Sequence, residues 1–131
     1  METRSFSITL AALAMAAALA AACPASAAAP GRSCFWAHSV DGFRSIDNRT
    51  VYVRANMHEV FELKLFAPCL DVDWSHRIGL RTRGSSSICE GSGNAVDVIV
   101  RSTAHRQHCP VTTVRKLTPT EVAALPPGAR P

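Results

Sequence analysis

The sequence predicts a mainly β fold, a small antiparallel barrel or sandwich of about six to seven short strands held by two disulfides. Two observations predict the strands and one the disulfides. Apolar and polar side chains alternate through Thr50–Arg54, Val60–Leu65, Ile78–Arg83 and Val96–Arg101. Such period-two patterning puts one set of side chains on a buried face and the other in water. Clusters of glycine, serine, asparagine and aspartate separate these runs, and those residues favour turns. Lastly, the chain has five cysteines, four of them within the stretch that reads as a folded domain.

The N-terminal stretch reads as a leader rather than as domain. Arg4 precedes an apolar run from Leu10 to Ala22, which is short of the roughly 20 residues that a membrane span needs. It fits the apolar core of a secretory signal. Ala25-Ser26-Ala27 offers cleavage before Ala28, whereas Ala20-Ala21-Ala22-Cys23 offers lipidation of Cys23; both exits stay open. Residues 1–27 are therefore assigned as signal peptide, with an alanine-, proline- and glycine-rich tether to about residue 32. Residues 33–125 form a single domain, and 126–131 a disordered tail.

Within the domain, Ser33-Cys34-Phe35-Trp36 begins the fold and Asp41-Gly42 marks a turn or bulge. Thr50 to Cys69 is the organising hairpin, turning at Ala55-Asn56-Met57 and ending at Pro68, which cannot donate to a ladder. Ile78–Arg83 follows, and Ile88-Cys89 is read as its return strand after a turn at Gly84–Ser87. Val96–Arg101 is a further strand, and Ser102–His108 a polar loop. Val111, Val114 and Leu117 are spaced by three, so a bulge is needed to give them a common inward face. Thr118-Pro119-Thr120-Glu121 is a capping box with proline at the first helical position, opening a short helix that Pro126-Pro127 stops.

Without Cys23, the cysteines are Cys34, Cys69, Cys89 and Cys109. An even set in a small exported domain implies two disulfides in an oxidising compartment. Four cysteines allow three connectivities. The nested pair Cys69–Cys89 with Cys34–Cys109 is favoured, since it ties the central hairpin to the next one and the domain's start to its last strand. Each bridge would stabilise by roughly 3–4 kcal/mol in the chain-entropy model.

The formal net charge is +4. An exported protein has no nucleic acid to meet, and the basic residues are scattered among strands without interleaved aromatics. Nucleic acid is therefore excluded as a partner. Membrane contact is expected only through the signal peptide or a lipid anchor.

The order Cys34-Phe35, Asp47-x-x-Thr50, Pro68-Cys69, Ile88-Cys89-Glu90, Cys109-Pro110-Val111 and Leu117-Thr118-Pro119-x-Glu121-Val122 resembles a family of small exported bacterial proteins known only as a domain of unknown function. The resemblance covers nearly everything after the tether. It implies a small β-rich exported fold and brings no catalytic residues.

Local chemistry offers few alternatives. His105, His108 and Cys109 are zinc-type ligands, but zinc needs three or four converging donors. His108 and Cys109 are chain neighbours and Cys109 is claimed by a disulfide, so the segment reads as a solvated histidine loop, with no metal and no cofactor. Asp71 and Asp73 lie two apart, and Trp74 beside them makes the segment a surface-site candidate; paired carboxylates do acid–base work only where their environments separate their pKa values. Trp36, Phe43, Tyr52 and Trp74 offer the lining of a binding groove, but aromatics of a small β domain read first as core. No nucleophile–base–orienter set can be assembled. The chain thus reads as a non-catalytic binding or structural module of the cell envelope, meeting an unknown envelope protein or polymer. The alternative is a small periplasmic hydrolase or metal-dependent enzyme using Asp71 and Asp73 or the His105/His108 loop.

Overall fold

The structure is a computed structural model and describes residues 31–131. The leader and both of its exits, at Ala27 and Cys23, lie outside the described residues. Eight strands form two antiparallel sheets. They are β1 (Cys34–Trp36), β2 (Val40–Arg44), β3 (Thr50–Ala55), β4 (Glu59–Leu65), β5 (Ile78–Thr82), β6 (Ser87–Cys89), β7 (Val96–Arg101) and β8 (Arg106–Lys116), followed by helix α1 (Pro119–Ala124). The larger sheet runs β2-β3-β4-β8-β7-β5, and β1 pairs with β6. The larger sheet curls into a half-barrel over its own side chains.

The hairpin that organises the sequence is β3–β4, with Val53 opposite Phe61 and Val51 opposite Leu63. Its turn holds Asn56 and Met57 at positive φ, 51° and 74°, and the Asn56 amide donates to Glu59 at 2.7 Å. Alternation carries through to the core: Val51, Val53, Ala55, Phe61, Leu63 and Leu65 are buried on one side. The expected bulge in the last strand is present. Lys64 faces Thr113 and Leu65 faces Val111, so Thr112 is the extra residue, and both Val111 and Val114 point inward. Asp41 likewise bulges β2, between Val40 opposite Ala55 and Gly42 opposite Arg54.

The β1–β6 ribbon closes the concave face. Phe35 and Ile88 face each other across it, both are buried, and the Phe35 ring meets Phe61 at 4.4 Å between centroids. Glu90 fastens this ribbon with two acceptor bonds, from the Ser33 backbone at 3.2 Å and the Lys116 backbone at 2.8 Å. Gly93, the buried first residue of a 3-10 turn after β6, lies against β8 so closely that a Cβ there would overlap the Thr112 carbonyl. Only glycine permits that approach.

Three expectations need correction. Ile88-Cys89 is not the return strand of Ile78–Thr82, because β5 pairs with β7 and β6 with β1. Burial decides this: only beneath the ribbon can Ile88 and Phe35 both leave water. The disulfides follow the topology and are Cys34–Cys89 and Cys69–Cys109, not Cys69–Cys89 with Cys34–Cys109. Cys34 and Cys89 are register partners. Cys69 reaches Cys109 because the chain leaving β4 continues along β8, where the Phe66 amide donates to the Pro110 carbonyl at 2.8 Å. Third, the tail 126–131 is ordered. Pro127–Ala129 forms a 3-10 turn with Ala129 buried. Arg130 donates to the carbonyls of Leu125 and Ala123, and the Pro131 carbonyl accepts from Arg54 at 3.1 Å.

Candidate functional site

Two clefts open at opposite ends of the larger sheet. The first, about 560 Å³, lies beside α1 and is lined by Leu117, Pro119, Val122 and Ala123 with His58, Glu59, Lys116 and Arg130 at its rim. Its charges are largely spoken for. Lys116 pairs with Glu59, which also accepts from Asn56; these bonds, Asn56 first, lower the Glu59 pKa. Next to the cleft, Arg115 bonds Glu121 at 2.6 Å and lies 3.6 Å from Glu62. Glu121 completes the capping box with Thr118. The Thr118 backbone bond and then Arg115 hold the Glu121 carboxyl at about 2, against a usual 4.5. This end is built for cohesion.

The second cleft, about 510 Å³, is lined by Asp71, Trp74, Ser75, His76, Arg77, Arg101, Ser102 and Thr103. Arg77 and Arg101 also border a smaller hollow of about 260 Å³ beside it, over Ile78, Gly79 and Ile99. Gly79 faces Ile99 across the strand pair, and its missing side chain leaves the hollow open. The lip carrying Asp71 and Trp74 is pinned by the Cys69–Cys109 bridge and by Val72, which is fully buried between two exposed aspartates. Asp71 takes φ +64° there, a left-handed geometry that aspartate tolerates better than most residues.

The residues singled out from the sequence divide accordingly. Asp71 and Trp74 line this cleft and Asp73 does not. Trp74 is 81% exposed and Trp36 50%, so the reading of both as core is overturned; Phe35 and Phe61 fill that role. His105 sits in the β7–β8 turn, its backbone amide held by Ser102 Oγ at 3.2 Å. His108 is not in a loop, since β8 begins at Arg106, and His108 faces Ile99 on the outer side. Cys109 points inward to its disulfide. Among the described residues, no group of three or more His, Cys, Asp or Glu comes together as a metal site.

Sequence reasoning missed Arg77, Arg101 and Arg106. Scattered along the chain, they are gathered by two strand pairings: β7 with β8, in which Arg101 is the register partner of Arg106, and β5 with β7. Ile78 faces Val100, so Arg77 continues the same row. Seeing Val96–Arg101 and Arg106 onward as one hairpin would have revealed Arg101 and Arg106, whereas Arg77 needs the β5–β7 pairing.

The motifs behind the family resemblance have structural duties. The Asp47 carboxylate accepts from the Arg49 and Thr50 amides at 2.9 and 2.6 Å, fixing the entry to β3. Cys34, Cys69, Cys89 and Cys109 form the bridges, Glu90 ties β1 to β8, and Thr118 with Glu121 caps α1. A family model, "Family of unknown function (DUF6491)", matches residues 2–130. The chain belongs to this family. No curated protein and no solved structure matches it. For this member of DUF6491, no helix among the described residues is long and apolar enough to cross a membrane, and the two disulfides point to an oxidising compartment.

Proposed function

We propose that this protein is an exported, non-catalytic binding module of the cell envelope, working through the Trp74–Arg77–Arg101 cleft. One observation carries the reading. A tryptophan that is 81% exposed shares an open cleft with two arginines that enter no ion pair among the described residues. A large aromatic left in water forgoes roughly 2 kcal/mol of burial. Tryptophan and arginine are also the residue types enriched where proteins grip ligands. The leader-like stretch Leu10–Ala27 and the two bridges support export. The hydrolase alternative is less well supported, since only Asp71 of its pair lines the cleft.

Two measurements test this reading. The N-terminus of protein from the envelope fraction should begin at Ala28 or at a lipidated Cys23; an intact Met1 in the cytoplasm would end the export half. Retention of the purified protein on immobilised envelope extract should be lost in Trp74→Ala and kept in the double variant His105→Ala, His108→Ala. Equal retention of Trp74→Ala and wild type would remove the cleft from the proposal.

A further inference from the structure

Resting on the reading of the Trp74 cleft as a binding site, we infer that its ligand carries a phosphate group, gripped by Arg77 and Arg101 with Arg106 behind them. The row is unusual in its chemistry. Arg101 and Arg106 are direct register partners on adjacent antiparallel strands, and Arg77 continues the row on the β5 side. Residues placed directly opposite share one face, and like charges there destabilise the pairing. Further along the same strands the sheet does compensate: Arg81 faces Asp97, and Asp97, itself only 7% exposed, accepts from Arg83 at 3.1 Å. In the Arg77–Arg101–Arg106 row no such carboxylate is supplied. Against these guanidinium groups the cleft sets one acid, Asp71, and a neighbouring hollow sets Asp41 beside Arg77. Asp41 is paired with Arg54, and among the described residues neither acid forms an ion pair with the row.

A folded sheet that tolerates such a row gains from an anion that relieves it. Guanidinium forks match phosphate oxygens bidentately, and a phosphate has enough oxygens to engage more than one fork. A single carboxylate has two. Ser102 Oγ is engaged with His105, so Thr103, at the cleft's edge, is the hydroxyl donor of the kind that completes phosphate sites. Trp74 then supplies a flat face for whatever bears the phosphate.

The test uses the full exported protein and two phosphate sources. Glycerol phosphate is titrated calorimetrically, and vesicles of phosphatidylcholine with phosphatidylglycerol are compared with vesicles of phosphatidylcholine alone. Arg77→Gln and Arg101→Gln should each weaken binding about tenfold or more, the scale of a lost charge-assisted bond, and Arg106→Gln should weaken it less. Arg115→Gln, which removes an arginine already paired with Glu62 and Glu121, should leave it unchanged. Binding of glycerol phosphate that Arg101→Gln abolishes supports a soluble phosphorylated ligand. Binding confined to the phosphatidylglycerol vesicles, again lost in Arg101→Gln, supports a lipid headgroup. Failure to bind either source, equal affinity for glucuronate, or binding indifferent to Arg77→Gln and Arg101→Gln overturns the inference. In those cases, loss of envelope retention in Trp74→Ala would still uphold the cleft as a binding site, and its absence would remove both.

Discussion

At the α1 end of the six-stranded sheet, Lys116 is held by Glu59 and Arg115 lies between Glu62 and Glu121; at the β5–β7 end, Arg77, Arg101 and Arg106 share a face with no acid paired to them among the described residues. The two ends have similar cleft sizes, about 560 and 510 Å³, and each sits near one of the disulfides. Their difference lies in how charge is spent. Where every charge has an intramolecular partner, the side chains serve the fold. Where cations are gathered and left unpaired beside an exposed indole, the fold loses a little and the surface gains a grip.

The largest test of this contrast removes the bridges one at a time. Cys69→Ala with Cys109→Ala opens a span of 40 residues and Cys34→Ala with Cys89→Ala one of 55. Each should cost about 4 kcal/mol by loop-closure entropy, read as a fall in denaturant midpoint. The effects should separate in binding. Loss of Cys69–Cys109 frees the lip bearing Asp71 and Trp74 and should abolish retention on envelope extract, while any folded fraction lacking Cys34–Cys89 should keep it. Peptide mapping of the native protein under non-reducing conditions must first yield Cys34 joined to Cys89.

Next in size is Glu90→Ala, which strands the Ser33 and Lys116 amides and should lower stability by about 2 kcal/mol, as lost bonds to a charged acceptor do. Retention should not change. If it does, the two ends of the sheet are coupled rather than independent.

Thr118→Ala removes the helix cap and should cost about 1 kcal/mol. The same site governs a pH effect. Glu121 titrates at about 2 when folded and near 4.5 otherwise, and Glu59 is shifted in the same direction. A lowered folded pKa stabilises above the unfolded value and is lost as pH falls towards the folded one. The melting temperature should therefore decline from about pH 5 to pH 2, and more shallowly in Glu121→Gln.

The smallest effect has the opposite sign. Arg106→Glu places a carboxylate opposite Arg101 and should raise stability by about 0.5 kcal/mol, the scale of an opposed cross-strand charge pair, while weakening phosphate binding. A variant that gains neither stability nor loses affinity would mean that the arginine row is inert.

What the sequence made legible was local. The β3–β4 hairpin follows from alternation over Thr50–Leu65, the bulge at Thr112 from the three-residue spacing of Val111 and Val114, and the cap from Thr118 and Glu121. What it hid was non-local pairing. Ser87–Cys89 is too short to announce its partner, and adjacency along the chain suggested β5, whereas shared burial with Phe35 sends it to β1. The wrong bridges followed from that one step. The cleft was half visible: Asp71 and Trp74 are neighbours in sequence, but Arg77, Arg101 and Arg106 become neighbours only through register. The tail's order was hidden too, because its last residue is held by Arg54, far back in the chain, and Arg130 folds back on α1 through main-chain carbonyls that carry no sequence signal.

The bridges also interleave along the chain: Cys34 skips Cys69 to reach Cys89, and Cys69 skips Cys89 to reach Cys109. A chain emerging N-terminus first into an oxidising compartment would offer Cys34 and Cys69 to each other before either native partner arrived. Oxidation in order of appearance therefore yields no native bridge at all. Maturation must either wait until β6 and β8 have docked or undo its first bond by thiol exchange, so the yield of this protein should depend on the isomerase capacity of the compartment in which its bridges form.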